Sequence, residues 1–222
     1  MVNLTMTTDP LDLLFSDLDA ECIIVLPEKS SPITGKGSVY SYRPLTYKNR
    51  ETVTDFAFTH PILHVPGGVR FKETHSYVMF VLPVNDKNIS GLIIKYEECF
   101  KACNKYVPST HQINSPLILD ESGTAYNLFV KFNKNTTITD KTGHRVAWES
   151  LTDKELWLKP LIQWQSIPLN TTKSLQLNLV SAEIVDYKPK EKKNITNIKV
   201  IQHNQTNIDG LQGKIEALVG NK

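Results

Sequence analysis

The chain has 222 residues, 40% of them hydrophobic, with 25 Lys and Arg against 23 Asp and Glu, a formal net charge of +2. That apolar share with so little net charge excludes a chain disordered throughout, and no run approaches the roughly 18 apolar residues of a membrane span. The first twenty residues carry acids inside their apolar stretch and no basic leading region, so the sequence predicts a soluble intracellular protein without a signal peptide.

In chain order, Thr8-Asp9-Pro10 reads as a helix start, with Asp9 as cap and Leu11, Leu14, Phe15 and Leu18 on one face. Cys22–Leu26 is a compact apolar run that predicts a strand, stopped by Pro27. Residues 28–37 are loop, and Val39–Tyr42 predicts a strand with Tyr40 and Tyr42 on one side. Residues 43–60 give no clear pattern. Ile62–Val65 is extended, Pro66-Gly67-Gly68 is a turn, and Val69–Lys72 alternates with Arg70 and Lys72 on the same side. Tyr77–Val84 is apolar on both sides, as in a central strand covered twice.

Residues 90–107 predict the clearest helix, capped by Ser90, with Leu92, Tyr96, Cys99, Phe100, Cys103 and Val107 at helical spacing. Beyond it the pattern is β: strands at Ala125–Phe132, Arg145–Trp148, Leu156–Ile167, interrupted at Pro160, and Ser174–Tyr187. In the last of these the inward phase runs Leu175, Leu177, Leu179 and then shifts to Val180, Ala182, Ile184, which predicts a β-bulge. After Tyr187 the charged run Lys188–Lys193 reads as a linker, followed by a candidate edge strand at 194–203 and a short helix through Leu211, Ile215, Leu218 and Val219.

Charge is uneven. Residues 1–28 hold six acids and no Lys or Arg, so residues 29–222 carry 25 basic and 17 acidic groups, net +8. A basic body favours an anionic partner, with nucleic acid the commonest. Three cysteines, Cys22, Cys99 and Cys103, fit a reducing compartment better than a disulfide scaffold. No further ligands accompany the Cys99/Cys103 spacing, and His60 and His64 flank Pro61 in extended chain, so no metal and no other cofactor is predicted. Gly35-Lys36-Gly37 is too short for a phosphate-cradling loop, and the carboxylates fall mostly in turns, Asp120-Glu121 among them. No enzyme signature is present.

The informative pattern is on the strand faces turned away from the core. In Ala125–Phe132 the polar side holds Phe129 and Lys131; in Leu156–Trp164 it holds Trp157 and Lys159. An aromatic beside a lysine suits single-stranded nucleic acid, because unstacked bases want flat rings and phosphates want cations. Arg70 with Lys72, and Tyr40 and Tyr42 followed by Arg43, are placed as extensions of that surface. Plain packing accounts equally for aromatics in strands.

The order of strand, turn, Trp-bearing strand, then Leu156–Trp164 and Leu175–Val185, resembles the OB-fold-like core of single-stranded DNA-binding proteins of large nucleocytoplasmic DNA viruses, and more distantly phage proteins of that role. The resemblance covers about 65 residues and rests on pattern, not on a diagnostic motif. It implies a small five-stranded barrel that coats exposed DNA in replication, recombination or repair, in the host cytoplasm for a viral protein. Only Phe129, Lys131, Trp157 and Lys159 sit where it wants stacking and phosphate contacts. The expected fold is α+β and mostly β: an acidic arm at 1–21, an OB-like domain at 22–187, and a basic linker with a short helix at 188–222. The expected partner is single-stranded DNA, with replication proteins for the acidic arm, homo-oligomerisation left open and no membrane. A scaffold protein of viral assembly and a metal-dependent nuclease are the alternatives.

Overall fold

The computed structural model describes residues 5–6, 14–32, 39–49, 52–71, 76–109, 111–169 and 174–189, all within the compact unit Met1–Pro189. The expected helix start at Thr8–Pro10, the side chain of Lys72, and the linker, strand and helix expected after Pro189 lie outside them.

The strands are β1 (Thr5–Met6), β2 (Ile23–Val25), β3 (Lys29–Pro32), β4 (Val39–Asn49), β5 (Thr52–Asp55), β6 (Ala57–Thr59), β7 (Leu63–Val65), β8 (Val69–Phe71) and β9 (Ser76–Pro83). The helix α1 (Lys87–Asn104) follows, then β10 (Leu117–Leu119), β11 (Ala125–Phe132), β12 (Thr137–Thr139), β13 (Lys154–Pro168) and β14 (Gln176–Pro189). The protein is therefore α+β and mostly β. Pairings run from β13 to β7, β9, β11, β14 and back to β13, a barrel-like ring of five strands. Two seams close on a single residue pair each, His64 with Val81 and Lys131 with Asn178.

Alternation decides which side chains fill the ring. Val78, Phe80 and Leu82 of β9, Leu128 and Val130 of β11, Leu156, Leu158 and Ile162 of β13, and Leu177 and Leu179 of β14 are all buried. The predicted bulge is present. Ile162 pairs with Leu179 but Leu161 pairs with Ser181, so Val180 is the extra residue and, contrary to its expected inward phase, points outward, while Ala182 and Ile184 return to the core. A second register shift leaves Val185 unmatched between Ile184 and Asp186. Such shifts bend β13 and β14 along their length, which lets one long pair wrap the ring.

The helix starts earlier than its spacing predicted. Asp86, not Ser90, caps it, accepting from the Asn88 N–H, and Ser90 Oγ instead donates to the Lys87 carbonyl. Leu92, Tyr96, Cys99 and Cys103 form its buried stripe as expected. Burial pushes the Cys103 thiol up to about 12 and Cys99 higher still, so both are inert packing groups. Against the helix, Phe15, Phe56, Phe58, His60 and Trp164 gather with its Tyr96 into an aromatic cluster continuous with the rest of the core. The acidic leading segment thus seats Phe15 and Leu18 in the interior.

Four further expectations fail. Residues 28–37 are not all loop, since Lys29–Pro32 form β3 against β4. Pro160 does not interrupt its strand, because β13 runs through it with Pro160 paired to Ala182. Arg145–Trp148 is not a strand: Arg145 makes one bridge to Thr139, and Trp148 begins a 3-10 turn that stacks its ring on Phe132 at 3.9 Å. The second apolar side of β9 is not a covered face either; Tyr77, Met79 and Val81 are half-buried on the outside of the ring.

Gly68 positions the turn into β8. Its φ is +64°, and an added Cβ would stand 2.6 Å from the Leu151 carbonyl oxygen and 2.8 Å from that of Lys154. Both are backbone atoms that cannot move aside. Gly68→Ala is expected to lower unfolding free energy by about 2 kcal/mol or more, measured by urea denaturation. A stability within a few tenths of wild type would contradict that packing.

Candidate nucleic-acid interface

Cross-strand partners point to the same side of a sheet, so the pairings define the outer surface. One row runs Arg70, Tyr77, Lys131, Asn178 and Gln163. A second runs Ile118, Asn127, Val81, His64 and Trp157. Phe129, paired with Met79, lies between them on β11. The polar-face assignment of Phe129, Lys131, Trp157 and Lys159 therefore matches the register.

Part of this face is a crevice of about 380 Å³ lined by Tyr77, Phe129, Lys131, Ser115, Ile118 and Gln176, among others. Phe129 is 43% exposed, and its ring stands 5.8 Å from that of Tyr77. Lys131 Nζ donates to Gln176 Oε1 at 2.7 Å. Lys131 keeps exposed surface, yet the walls desolvate its ammonium and hold its pKa below the usual lysine value. Gln176 also borders a second crevice, of about 210 Å³, with Ser31, Tyr40, Tyr42, Gln165 and Ser166. There Tyr40 and Tyr42 stack on each other at 5.2 Å. The Tyr40 hydroxyl is shut off from solvent; burial raises its pKa, and the Ser166 hydroxyl beside it works against that rise. The two tyrosines thus adjoin the Phe129–Lys131 crevice across one glutamine.

The other expected residues are placed differently. Trp157 lies on the outer face, roughly 14 Å from the Asn127 row position along the curved sheet, counting three strand spacings. Its ring is already engaged: His64 stacks on it at 4.9 Å, and Lys188 Nζ lies 5.1 Å from its centroid. His64 is held in turn by Glu155, Nε2 to Oε1 at 2.7 Å. Lys159 is exposed but pairs across the ladder with Glu183, an opposite charge. Arg70 is exposed at the rim of the crevice row, its guanidinium folded beside Gly67. Arg43 pairs with Ile167 where Tyr42 pairs with Pro168, which puts it on the opposite side of β4 from the tyrosines.

Sequence reading missed Tyr77 and Gln176. Tyr77 carried a signal, an aromatic at the start of an alternating run, but it was absorbed into a supposed second core face. Gln176 carried none, since its place between two crevices depends on strand register.

The acidic turns are structural. Asp120 accepts from the backbone N–H groups of Thr124 and Ala125 and from Ser122 Oγ, and Asp140 accepts from Thr142 and His144 in the same way. Among the described residues no three His, Cys, Asp or Glu side chains converge as a metal site, and no helix is long and apolar enough to cross a membrane.

No family model and no curated protein matches the chain. Among solved structures it is similar to the single-stranded DNA-binding protein from bacteriophage Enc34, with 10% identity and a TM-score of 0.43 over 80% of this chain and 99% of that one. The same phage protein in complex with single-stranded DNA gives 8% identity and a TM-score of 0.42 over 74% and 97% of the two chains. A likeness this distant carries no weight for the site, which stands on its own geometry.

Proposed function

We propose that this chain binds single-stranded DNA without catalysis, on the outer face of an OB-fold-like barrel. The observation that carries the reading is the crevice that joins exposed Phe129 and half-buried Tyr77 to the Lys131 ammonium. Exposed rings in a polar groove give every base a stacking surface, and a cation within the same groove offsets phosphate charge. Tyr40 and Tyr42 continue the track across Gln176, and Arg70 adds a cation at its rim. Trp157 and Lys159 form a separate patch in which the indole is held by its own neighbours. A protein of this kind coats exposed strands during replication, recombination or repair, the setting implied by the resemblance to proteins of large DNA viruses.

The test is fluorescence anisotropy with a labelled single strand of about thirty nucleotides and a duplex of equal length. Preference for the single strand is expected, with affinity falling steeply as salt rises because bound cations release condensed counterions. Lys131→Met is expected to reduce the slope of log K against log salt by about 0.7. An absence of binding at low salt would remove the proposal and leave the scaffold reading.

A further inference from the structure

The strand β10 is an unprotected edge. Among the described residues its one ladder partner is β11. Other edges carry features that discourage pairing with another chain. β3 holds Lys29 and Pro32, β8 holds Arg70, and β12 is covered where the Val146 N–H donates to the Ile138 carbonyl. β10 is Leu117-Ile118-Leu119, with Ile118 53% and Leu119 50% exposed. An apolar strand edge left open in this way is a template for a further strand.

The register says which backbone groups that edge offers. The Asp120 N–H donates to the Ala125 carbonyl, so along the alternating ladder Ile118 also turns its N–H and carbonyl toward β11. Leu117 and Leu119 turn theirs away. The Leu117 N–H accordingly donates to Ser115 Oγ at 3.2 Å, and not to β11. A second β10 laid antiparallel, with the two Ile118 residues opposite each other, matches this edge with itself. The Leu119 N–H of each copy meets the Leu117 carbonyl of the other, and the Leu117 N–H exchanges Ser115 for the Leu119 carbonyl. Residues 115–119 bear no charge, and Asp120 falls opposite Pro116 of the second copy, so no like charges are set against each other. A two-fold axis between antiparallel strands stands perpendicular to the sheet, so both Ile118 side chains meet on the outer face. Ile118 also lines the crevice of Phe129 and Lys131, and the pairing sets the two crevices side by side on that face.

We propose that β10 is a self-pairing edge through which two copies of this chain join their sheets as a two-fold dimer. The contact is isologous, the same three residues meeting on both sides. So short an edge buries less than the roughly 1,200 Å² of a stable complex, which makes the dimer transient, with a Kd on the order of 10–100 μM. The inference does not depend on the single-strand reading.

Sedimentation velocity of the full chain without DNA should show a monomer–dimer equilibrium in that concentration range. Ile118→Lys places like charges directly opposite each other across the axis and should leave only monomer, with its urea midpoint close to wild type because the side chain is exposed. A cysteine pair tests the register. Opposed Ile118 residues form a pair without mutual hydrogen bonds, about 4.5 Å apart at Cα, within reach of a disulfide. Ile118→Cys should therefore cross-link to itself when oxidised glutathione takes up the two thiol hydrogens. Leu119→Cys should not, because it opposes Leu117 and its two copies stand about 8 Å apart, beyond that reach. The wild-type chain is the control for Cys22, Cys99 and Cys103. A chain that stays monomeric at several times the expected Kd would overturn the proposal. So would a dimer that Ile118→Lys leaves intact, or cross-linking of Leu119→Cys as complete as that of Ile118→Cys.

Discussion

Replacing Phe129 with alanine is expected to weaken single-strand binding by roughly 5- to 150-fold, the counterpart of about 1–3 kcal/mol of lost base stacking. The effect should be large because nothing in the fold substitutes for this ring. Phe129 stands at the break between β10 and β14, 43% exposed, with Tyr77 as its aromatic neighbour. Its removal costs the fold little, since the core side of β11 is carried by Leu128, Val130 and Phe132. Unfolding stability of Phe129→Ala should stay within about 1 kcal/mol of wild type, which separates a binding defect from a folding one. Trp157→Ala supplies the contrast. Its ring already holds His64 and Lys188, so a base must displace them to stack there. A smaller loss of affinity is expected than for Phe129→Ala, read by the same anisotropy titration. If Trp157→Ala proved the more damaging of the two, the centre of the interface would move to β13.

The sequence exposed one link of this argument and hid another. Alternation along Ala125–Phe132 placed Phe129 and Lys131 on the polar face because the opposite side is so plainly apolar. The phase shift at Leu179–Val180 was legible for the same reason: a bulge moves a hydrophobic set by one residue, and composition records it. Periodicity fails where exposure depends on what lies opposite. Tyr77, Met79 and Val81 are apolar enough for a covered face, but no element packs over them densely enough to bury them. Residues 43–60 were illegible because β4 serves two neighbours in succession, pairing with β13 at Tyr42–Pro44 and with β5 from Thr46 onward. Which strand meets which is long-range information, and so is the role of Gln176. Trp157 shows the converse. Its face was readable from sequence, but the histidine that stacks on it comes from another strand altogether.

Stability should fall as the medium is acidified from neutral, well before the carboxylates titrate, and His60 is the cause. Its ring is fully buried and stacks on Phe15 at 4.6 Å. Nδ1 lies 2.9 Å from the Phe58 carbonyl and Nε2 2.9 Å from the Tyr96 hydroxyl. A carbonyl only accepts, so Nδ1 bears the proton and Nε2 accepts from Tyr96. Neutral imidazole satisfies both partners; a second proton would face the Tyr96 hydroxyl hydrogen and place a charge in an aromatic core. Burial accordingly lowers the His60 pKa to about 4, from 6.5 for an ordinary histidine. The unfolded chain takes up a proton below about pH 6.5 and the folded chain does not until about pH 4, so the unfolded state binds more protons throughout that window. Stability is complete above it and declines as pH falls through it, by about 2 kcal/mol between pH 7.5 and 5. Asp120 and Asp140, held below the usual carboxylate pKa chiefly by the Ser122 and Thr142 hydroxyls, add their own loss only at lower pH. Urea denaturation across this range should give that slope, with the His60 ring signal in NMR silent to protonation down to about pH 5. A flat stability profile, or a His60 signal that titrates near 6.5 in the folded protein, would show that the helix and barrel do not enclose this ring as described.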